Sequence, residues 1–232
     1  IQGVGYRWMF LISFALAVAG CLMSFGVDEN AMRKSKAPQG KLNVLEHLFA
    51  REAVVPAVVI LCVGAGMASI TNFIAIYAES LSVSGIGYYF TVAGAVMLVM
   101  RPLFGRLSDS RYSRTIVFVS LAGFACVFLT LGLARTLPMF LVAAVLYGTF
   151  YGALCPILQT WCVKAVDVSK SGTANSTYYT ALDIGQALGA SAAGLLSVHM
   201  SYGNMYFTVM IPQILAIVLV AVVTLRERTG KK

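Results

Sequence analysis

The chain has 232 residues, of which 59% are apolar and only 11% are charged. An ordinary soluble domain carries roughly 25% charged residues, so this composition excludes a soluble fold and predicts an integral membrane protein surrounded by lipid. The net charge of +8 does not indicate a nucleic-acid partner, because the basic residues cluster at the ends of apolar segments, as membrane topology requires.

Seven apolar segments follow one another along the chain, each long enough to cross a hydrocarbon core about 30 Å thick. Because a backbone in lipid must satisfy its own hydrogen bonds, each segment is predicted to be a helix. The fold class is therefore an all-α polytopic membrane protein. The predicted spans are about 8–27, 53–78, 84–104, 115–134, 138–162, 173–199 and 203–225.

The longest polar stretch is residues 28–52, after the first span. Within it, apolar residues recur at helical spacing, which predicts a short helix on the membrane surface. Fifteen of the 17 Lys and Arg residues fall on one side when the loops are assigned alternately, and only Arg7 and Arg135 fall on the other. The positive-inside bias places this stretch, the 105–114 loop and the C-terminus in the cytoplasm.

The last six spans divide into two groups of three, about 53–134 and 138–225. An odd number of helices per group makes the second group enter the membrane from the opposite side, which predicts an inverted repeat. The five cysteines lie in apolar segments without paired spacing, so neither a disulfide framework nor a metal site is expected. No cofactor is predicted.

The loop between the third and fourth spans reads Arg101-Pro-Leu-Phe-Gly-Arg-Leu-Ser-Asp-Ser-Arg-Tyr-Ser-Arg114. It resembles the loop signature of the major facilitator superfamily, which has a glycine, an aspartate four residues later and a basic cluster. Ser110 and Tyr112 depart from the signature in a way typical of its C-terminal copy. The glycine would allow close helix approach, and the aspartate would face a helix N-terminus or a basic side chain. The motif residues are Gly105, Asp109, Arg111 and Arg114.

A second resemblance covers Tyr147-Gly-x3-Gly-x3-Pro-x2-Gln159 and the run from Ser171 through Asp183 to Gly189. These residues resemble helices ten and eleven of bacterial twelve-helix drug:proton antiporters of the same superfamily. The resemblance implies proton-driven efflux of small amphipathic molecules by alternating access, in the bacterial inner membrane. Protons, a small-molecule substrate and membrane lipid are the implied partners.

The resemblance also implies a domain organisation. Residues 1–27 would be a transmembrane helix of an N-terminal half that is missing from this chain, and residues 28–52 would be the cytoplasmic linker with its surface helix. Residues 53–232 would be the C-terminal six-helix half. The missing half would then be a further partner.

Asp183 is the strongest candidate for chemistry. It lies about eleven residues into a predicted helix that starts in the cytoplasm, or about 16 Å deep at 1.5 Å per residue. A carboxyl group near the midplane costs at least a few kcal/mol unless it is paired, hydrated or protonated. Two interpretations stay open: a proton-carrying or substrate-binding group in a central cavity, and a structural acceptor bonded to neighbouring hydroxyls.

Other polar and aromatic side chains within the spans are candidates for the cavity wall, since aromatic rings suit amphipathic or cationic substrates. Each tyrosine could equally be a packing or interfacial residue. The cavity candidates are Asn72, Tyr77, Tyr147, Tyr151, Gln159, Tyr179 and Gln186.

Two other classes of protein share single features of this sequence. A seven-helix receptor would share the helix count, but its usual motifs at the ends of the third and last spans are lacking. An intramembrane serine protease would need Ser191 and His199, which lie about 12 Å apart on one predicted helix, too far for a nucleophile and its base. Within the transporter class, a metabolite or sugar uptake carrier is the alternative to efflux.

Overall fold

The computed structural model describes residues 2–24, 50–108 and 113–229. The chain divides into two compact units, residues 1–40 and 41–232. The first unit contains α1, Gln2–Ser24, whose apolar part is Phe10–Met23. The predicted first span is therefore a helix, with a shorter apolar stretch than the later helices. Residues 25–49 lie outside the described part, as does the predicted surface helix, so the domain boundaries at 27 and 52 stay predictions.

The described residues of the second unit form a bundle of six helices, which confirms the predicted all-α membrane fold. Each helix is long and apolar enough to cross a membrane. Single 3-10 turns, Arg51–Ala53 and Val168–Lys170, precede the first and fifth of them. The helices are α2 (Val54–Ser80), α3 (Gly87–Ser108), α4 (Ser113–Leu133), α5 (Leu137–Lys164), α6 (Ser171–His199) and α7 (Tyr202–Thr229).

The two ends of the bundle differ in their connections. At one end the connections α2–α3, α4–α5 and α6–α7 are short, and Arg135 is the one basic residue in them. The first of these contains Ser82 and Gly85 in the left-handed region, at φ 54° and 82°. The opposite end, called the basic end here, carries most of the described basic side chains. They include Arg101, Arg114, Lys164, Lys170 and Arg226.

The helix contacts have the symmetry of a repeat. The most extensive contacts join α2 to α6 and α3 to α5, followed by α4 with α7, α4 with α5 and α2 with α7. Exchanging α2 with α5, α3 with α6 and α4 with α7 reproduces the same set of pairs. Both of the leading pairs are parallel, because residues of α6 and α5 meet residues of α2 and α3 in the same order along the chain. This is the arrangement that an inverted three-helix repeat produces.

Small residues bring the helices of the α2–α6 pair together. A Cβ added to Gly64 would lie 2.7 Å from the Leu182 carbonyl oxygen. A Cβ on Gly185 or Gly189 would meet the backbone of α2, at Leu61 and Ala65 respectively. In membrane helices such residues permit backbone approach, and van der Waals packing then holds the pair together.

The interior of the bundle also contains buried polar groups. Gln213 of α7 is fully buried, and its Nε2 donates a hydrogen bond of 2.6 Å to the Cys62 carbonyl oxygen of α2. Its Oε1 and the hydroxyls of Tyr89 and Tyr206 have no hydrogen-bond partner among the described residues. The bundle is therefore joined by glycine contacts between α2 and α6 and by a polar contact between α2 and α7.

Candidate functional site

An open pocket of about 340 Å³ lies where α3, α5 and α6 meet. It combines aromatic rings, an amide, a guanidinium and aliphatic surface, which is the mixture that binding sites for small organic molecules use. We call it the α5–α6 pocket. It is lined by Arg101, Tyr151, Cys155, Pro156, Gln159, Tyr178, Tyr179 and Leu182.

Hydrogen bonds between α5 and α6 join the two walls of this pocket. Gln159 donates through Nε2 to Asn175 Oδ1 at 2.9 Å and to the Tyr179 hydroxyl at 3.5 Å. The hydroxyl of Tyr178 donates to the Cys155 carbonyl oxygen at 3.2 Å. Pro156 has no amide hydrogen, so the helical hydrogen bond to the Gly152 carbonyl is missing at this point of α5. The pocket thus lies beside a position where the helical hydrogen bonding of α5 is interrupted and a backbone carbonyl is left without its usual donor.

Tyr179 presents its ring to the pocket. Half of its surface is exposed, while its neighbour Tyr178 is buried. The two rings meet edge to face, with centroids 5.1 Å apart. Because the Tyr178 hydroxyl is bonded to α5, Tyr178 fixes the wall and leaves Tyr179 available to a ligand.

Asp183 lies one helical turn beyond Tyr179, directly after the pocket residue Leu182. It is exposed and near the middle of α6. Within the described part of the chain its side chain makes no hydrogen bond or ion pair. A charged group at mid-membrane costs about 2.5–3.5 kcal/mol or more when it faces lipid. This side of α6 is therefore better suited to water or to another protein surface than to lipid.

The opposite side of α6 has a different composition. Gly185, Gly189 and Ala193 are buried there against α2. Gln186 lies between the two sides and is half-buried. Burial therefore divides α6 into a small-residue side that packs on α2 and a polar side that is exposed.

Arg101, which the charge pattern of the sequence explains by membrane topology alone, lines the α5–α6 pocket from α3. Pro102 follows it and removes an amide from the same turn of α3. The sequence signal that could have pointed to Arg101 as a pocket residue is an arginine directly before a proline inside a helix. Arg101 gives the pocket a permanent positive charge, because guanidinium groups stay protonated in proteins.

Tyr147 and Tyr151 stand at the back of the site. Their rings are stacked with centroids 5.0 Å apart, and each side chain is 6% exposed. Tyr151 reaches the pocket and donates its hydroxyl to Met67 Sδ at 2.8 Å. Tyr147 lies behind it and packs near Phe124, with ring centroids 6.2 Å apart. Of the two tyrosines, Tyr151 can contact a ligand, and Tyr147 packs behind Tyr151.

Two cavity candidates lie away from this group. Asn72 is exposed on α2, and its Nδ2 donates to the Ala68 carbonyl oxygen at 2.8 Å. Phe73 is next to Gly194, so Asn72 is about 16 Å along the helix axis from Asp183. Tyr77 is buried near the end of α2 and donates to the Ala134 carbonyl oxygen at 2.8 Å. Tyr77 therefore packs inside the bundle and does not line the α5–α6 pocket.

The loop motif is described only in part. Asp109 and Arg111 lie outside the described residues. Gly105 lies in the last turns of α3, and the close helix approach expected of it stays a prediction. Arg114 begins the hydrophobic part of α4, and its guanidinium lies 5.5 Å from the centroid of the Trp161 ring.

Comparison with known proteins assigns the chain to a family. It matches the Major Facilitator Superfamily twice, over residues 1–131 and over residues 57–232. The chain therefore belongs to the Major Facilitator Superfamily, as the two motifs predicted.

Among its relatives is the multidrug resistance protein MdtG of Salmonella typhi, 29% identical over 151 residues. MdtG proteins of Salmonella arizonae and Salmonella paratyphi B are each 28% identical over the same length. In all three cases the match covers 62% of this chain and 37% of the relative. The match therefore spans little more than a third of the length of these relatives.

Proposed function

We propose that this chain is the C-terminal part of a proton-coupled antiporter that exports small amphipathic, drug-like molecules by alternating access. It acts as a carrier and not as an enzyme. It resides in the bacterial inner membrane, with the basic end and the C-terminus in the cytoplasm. The helices that complete the central cavity come from an N-terminal half, to which residues 1–27 belong and which residues 28–52 connect to the six-helix bundle.

The observation that carries this proposal is the environment of Asp183. An exposed carboxyl group with no bonded partner among the described residues, in the middle of a membrane-spanning helix and beside an aromatic pocket, has a physical reason to exist when that side of the bundle is hydrated. Such a group can take up and release a proton as the cavity opens to either side of the membrane. That no side chain in the described ranges bonds to Asp183 also weakens its structural interpretation.

The α5–α6 pocket supplies half of the substrate site in this proposal. Tyr151 and Tyr179 offer ring faces to an amphipathic or cationic molecule. Gln159 offers an amide beside them, and Gln186 extends the polar surface past Asp183. The name of the relatives, multidrug resistance protein, agrees with a pocket that has many apolar contacts and few directional ones.

The test is transport by the full twelve-helix protein in proteoliposomes. An imposed pH gradient should drive movement of a fluorescent amphipathic cation such as ethidium. Asp183→Asn should abolish this pH-driven transport because the amide cannot carry a proton. Exchange of labelled for unlabelled substrate without a pH gradient should persist, because exchange requires the pocket and not the proton.

The matched control is Glu79→Gln, which makes the same chemical change at an exposed carboxyl group at the end of α2. It should transport at the wild-type rate. Full pH-driven transport by Asp183→Asn would remove Asp183 from the coupling mechanism. Loss of both exchange and pH-driven transport in a folded Asp183→Asn protein would assign Asp183 to substrate binding instead.

Uptake of an acidic metabolite is the second candidate, and the observation that favours it is Arg101. A fixed guanidinium in the pocket wall pairs well with a carboxylate or phosphate. Vesicles with the basic end inside would then accumulate an organic acid when the external pH is lowered, and they would not move ethidium. Efflux of ethidium without organic-acid uptake would exclude this candidate.

A further inference from the structure

The charge of Arg101 has no counter-charge within the described ranges of the chain. Its guanidinium lines the α5–α6 pocket and makes no hydrogen bond or ion pair to another described residue. The membrane-spanning part of α3 ends at Gly105, so Arg101 lies four residues, or about 6 Å, inside that end. A guanidinium within the membrane is costly unless it is hydrated or paired with an anion. The described walls of the pocket therefore carry one fixed positive charge that an anionic ligand could balance.

The helix contacts place Arg101 at the same level as the aromatic part of the pocket. Gly152 of α5 packs on Met97 of α3. Because these two helices are parallel, Arg101 is level with Pro156, each four residues further along its helix. The turn of α6 that contains Tyr179 is hydrogen-bonded to this part of α5. One ligand in the pocket can therefore contact the guanidinium and the exposed ring of Tyr179 together.

The polar groups that the pocket offers to a ligand are chiefly hydrogen-bond donors. Arg101 contributes five N–H donors. The Tyr179 hydroxyl accepts a hydrogen bond from Gln159, and its own proton has no acceptor among the described residues. Gln159 uses Nε2 within the wall and leaves Oε1 as an acceptor. No acidic residue is among the described residues that line the pocket. An acid group with its oxygen acceptors therefore satisfies more of this surface than an ammonium group does.

We propose that the α5–α6 pocket selects amphipathic molecules that carry one acid group, which binds Arg101 and the Tyr179 hydroxyl while the ring system packs against Tyr179 and Tyr151. Guanidinium groups bind carboxylate oxygens through paired N–H groups. A zwitterion keeps the cation that tyrosine rings attract and adds the anion that Arg101 binds, so it should bind more tightly than the corresponding cation. The inference rests on the proposed role of this pocket as a substrate site, and it holds for export and uptake alike.

A dye and its ester provide a matched pair of probes for this selectivity. Rhodamine B is a zwitterion at neutral pH, with a delocalised cation on its fused rings and a carboxylate on its pendant ring. Its ethyl ester has the same rings and cation but no carboxylate. Each dye is dialysed to equilibrium against the full twelve-helix protein in phosphatidylcholine nanodiscs, and binding to empty nanodiscs is subtracted. The wild-type protein should bind rhodamine B about tenfold more tightly than the ester, the value of one charge-assisted hydrogen bond.

Variants of Arg101 separate contact with the acid group from general charge. Arg101→Gln should bring the ratio of the two dissociation constants near unity by weakening rhodamine B, and it should not weaken the ester. Arg101→Lys keeps the charge but not the paired donors and should retain part of the preference. Arg226→Gln is the matched control, because it removes an exposed base of α7 that does not line the pocket, and it should keep the tenfold ratio. If Arg101→Gln does not fold, Tyr179→Phe replaces it and should lower the ratio by a smaller factor.

Equal affinity of the wild-type protein for the two dyes would overturn the proposal, as would binding of neither dye. A preference that survives in the folded Arg101→Gln protein would place acid recognition elsewhere. An equal loss of both dyes in that protein would show that Arg101 shapes the pocket without contacting the acid group.

The assay measures binding without transport, so the two proposals fail separately. A protein that moves ethidium under a pH gradient but binds both dyes equally would contradict this inference alone. A tenfold preference for rhodamine B in a protein without pH-driven transport would contradict the proposed antiport alone.

Discussion

The two sides of α6 differ in packing and in exposure. On the side facing α2, Gly185 and Gly189 bring the two backbones together without any polar side chain. On the other side, Tyr179 and Asp183 are exposed, and Asp183 has no bonded partner among the described residues. A larger side chain on the packed side would collide with the backbone of α2, whereas a substitution on the open side displaces no backbone. Stability and transport should therefore respond to substitutions on different sides of the same helix.

The largest loss of stability is expected from Gly189→Ala on the packed side. The new Cβ would meet backbone atoms of Ala65, including its carbonyl carbon at 2.6 Å, and backbone cannot move aside as a flexible side chain can. Overpacking of this kind costs about 1–3 kcal/mol or more. Thermal unfolding in detergent, followed with a thiol-reactive dye at the buried Cys162, should show a clear fall in Tm.

Gly194→Ala is the matched control for that experiment. It lies on the same helix, but the nearest atom to its added Cβ is Phe73 Cζ at 3.6 Å, an ordinary contact. Its Tm should stay near the wild-type value. Equal Tm values for the two alanine variants would mean that the α2–α6 interface is not the tightly packed side of α6.

Asp183→Leu should have the opposite profile, with transport lost and the fold retained. Removing a carboxyl group at mid-membrane relieves a cost of about 2.5 kcal/mol when the group is charged, so the Tm should stay level or rise. The measurement pairs thermal unfolding with pH-driven transport by the full protein. A fall in Tm as large as that of Gly189→Ala would instead identify Asp183 as a structural acceptor.

A smaller effect on stability is expected at the polar contact between α2 and α7. Gln213→Leu removes the hydrogen bond to the Cys62 carbonyl oxygen, and interhelical hydrogen bonds in membranes average about 0.6 kcal/mol. A modest decrease in unfolding free energy in mixed micelles is the expected result. Gln186→Leu, at a half-buried glutamine on α6, should change it less. A stability gain in Gln213→Leu would show that burial of the unpartnered Oε1 outweighs the bond made by Nε2.

A small effect, on substrate binding and not on stability, is expected from Tyr179→Phe on the open side. It removes a hydroxyl that accepts a hydrogen bond from Gln159 at 3.5 Å and keeps the ring. The net value of such a bond is about 1 kcal/mol, so the KM for an amphipathic cation should rise about fivefold or less. Tyr178→Phe breaks a bond to the α5 backbone and should lower the Tm instead. The reverse assignment of these two effects would contradict the roles given to the two tyrosines.

Much of the fold could be predicted from the sequence because hydropathy acts locally. Six spans were placed within a few residues, and the motifs around Asp109 and Asp183 identified the family that the comparisons support. The packed side of α6 follows the helical spacing of Gly185, Gly189 and Ala193, which is visible in the sequence. The inverted repeat was inferred only from helix count, since the two halves share no evident sequence pattern. The exchange of contacting pairs supplies the physical support that the sequence lacked.

The candidate site was harder to predict, because within a membrane-spanning segment the same residue type can either pack inside the bundle or face a pocket. Tyr77 and Tyr179 are both tyrosines within spans, yet one is buried near the end of α2 and the other is exposed at the α5–α6 pocket. Arg101 was assigned to topology because its charge falls near a helix end. Only the packing of α3 against α5 brings it beside Tyr151. Such proximity between distant segments leaves no local signal in a single sequence.

The crossed pairing of the two repeats has a consequence for biogenesis. The middle helix of each repeat packs chiefly against the first helix of the other, and α3 has few contacts with α4 or α6 with α7. A ribosome that has released only α2, α3 and α4 into the membrane has therefore produced three helices with few mutual contacts. Their docking partners arrive only with α5 and α6, so the first repeat must wait in the bilayer, unassembled, for the second. If the chain were interrupted between the repeats, neither half would fold as an independent module. Both halves would then be substrates for membrane proteases.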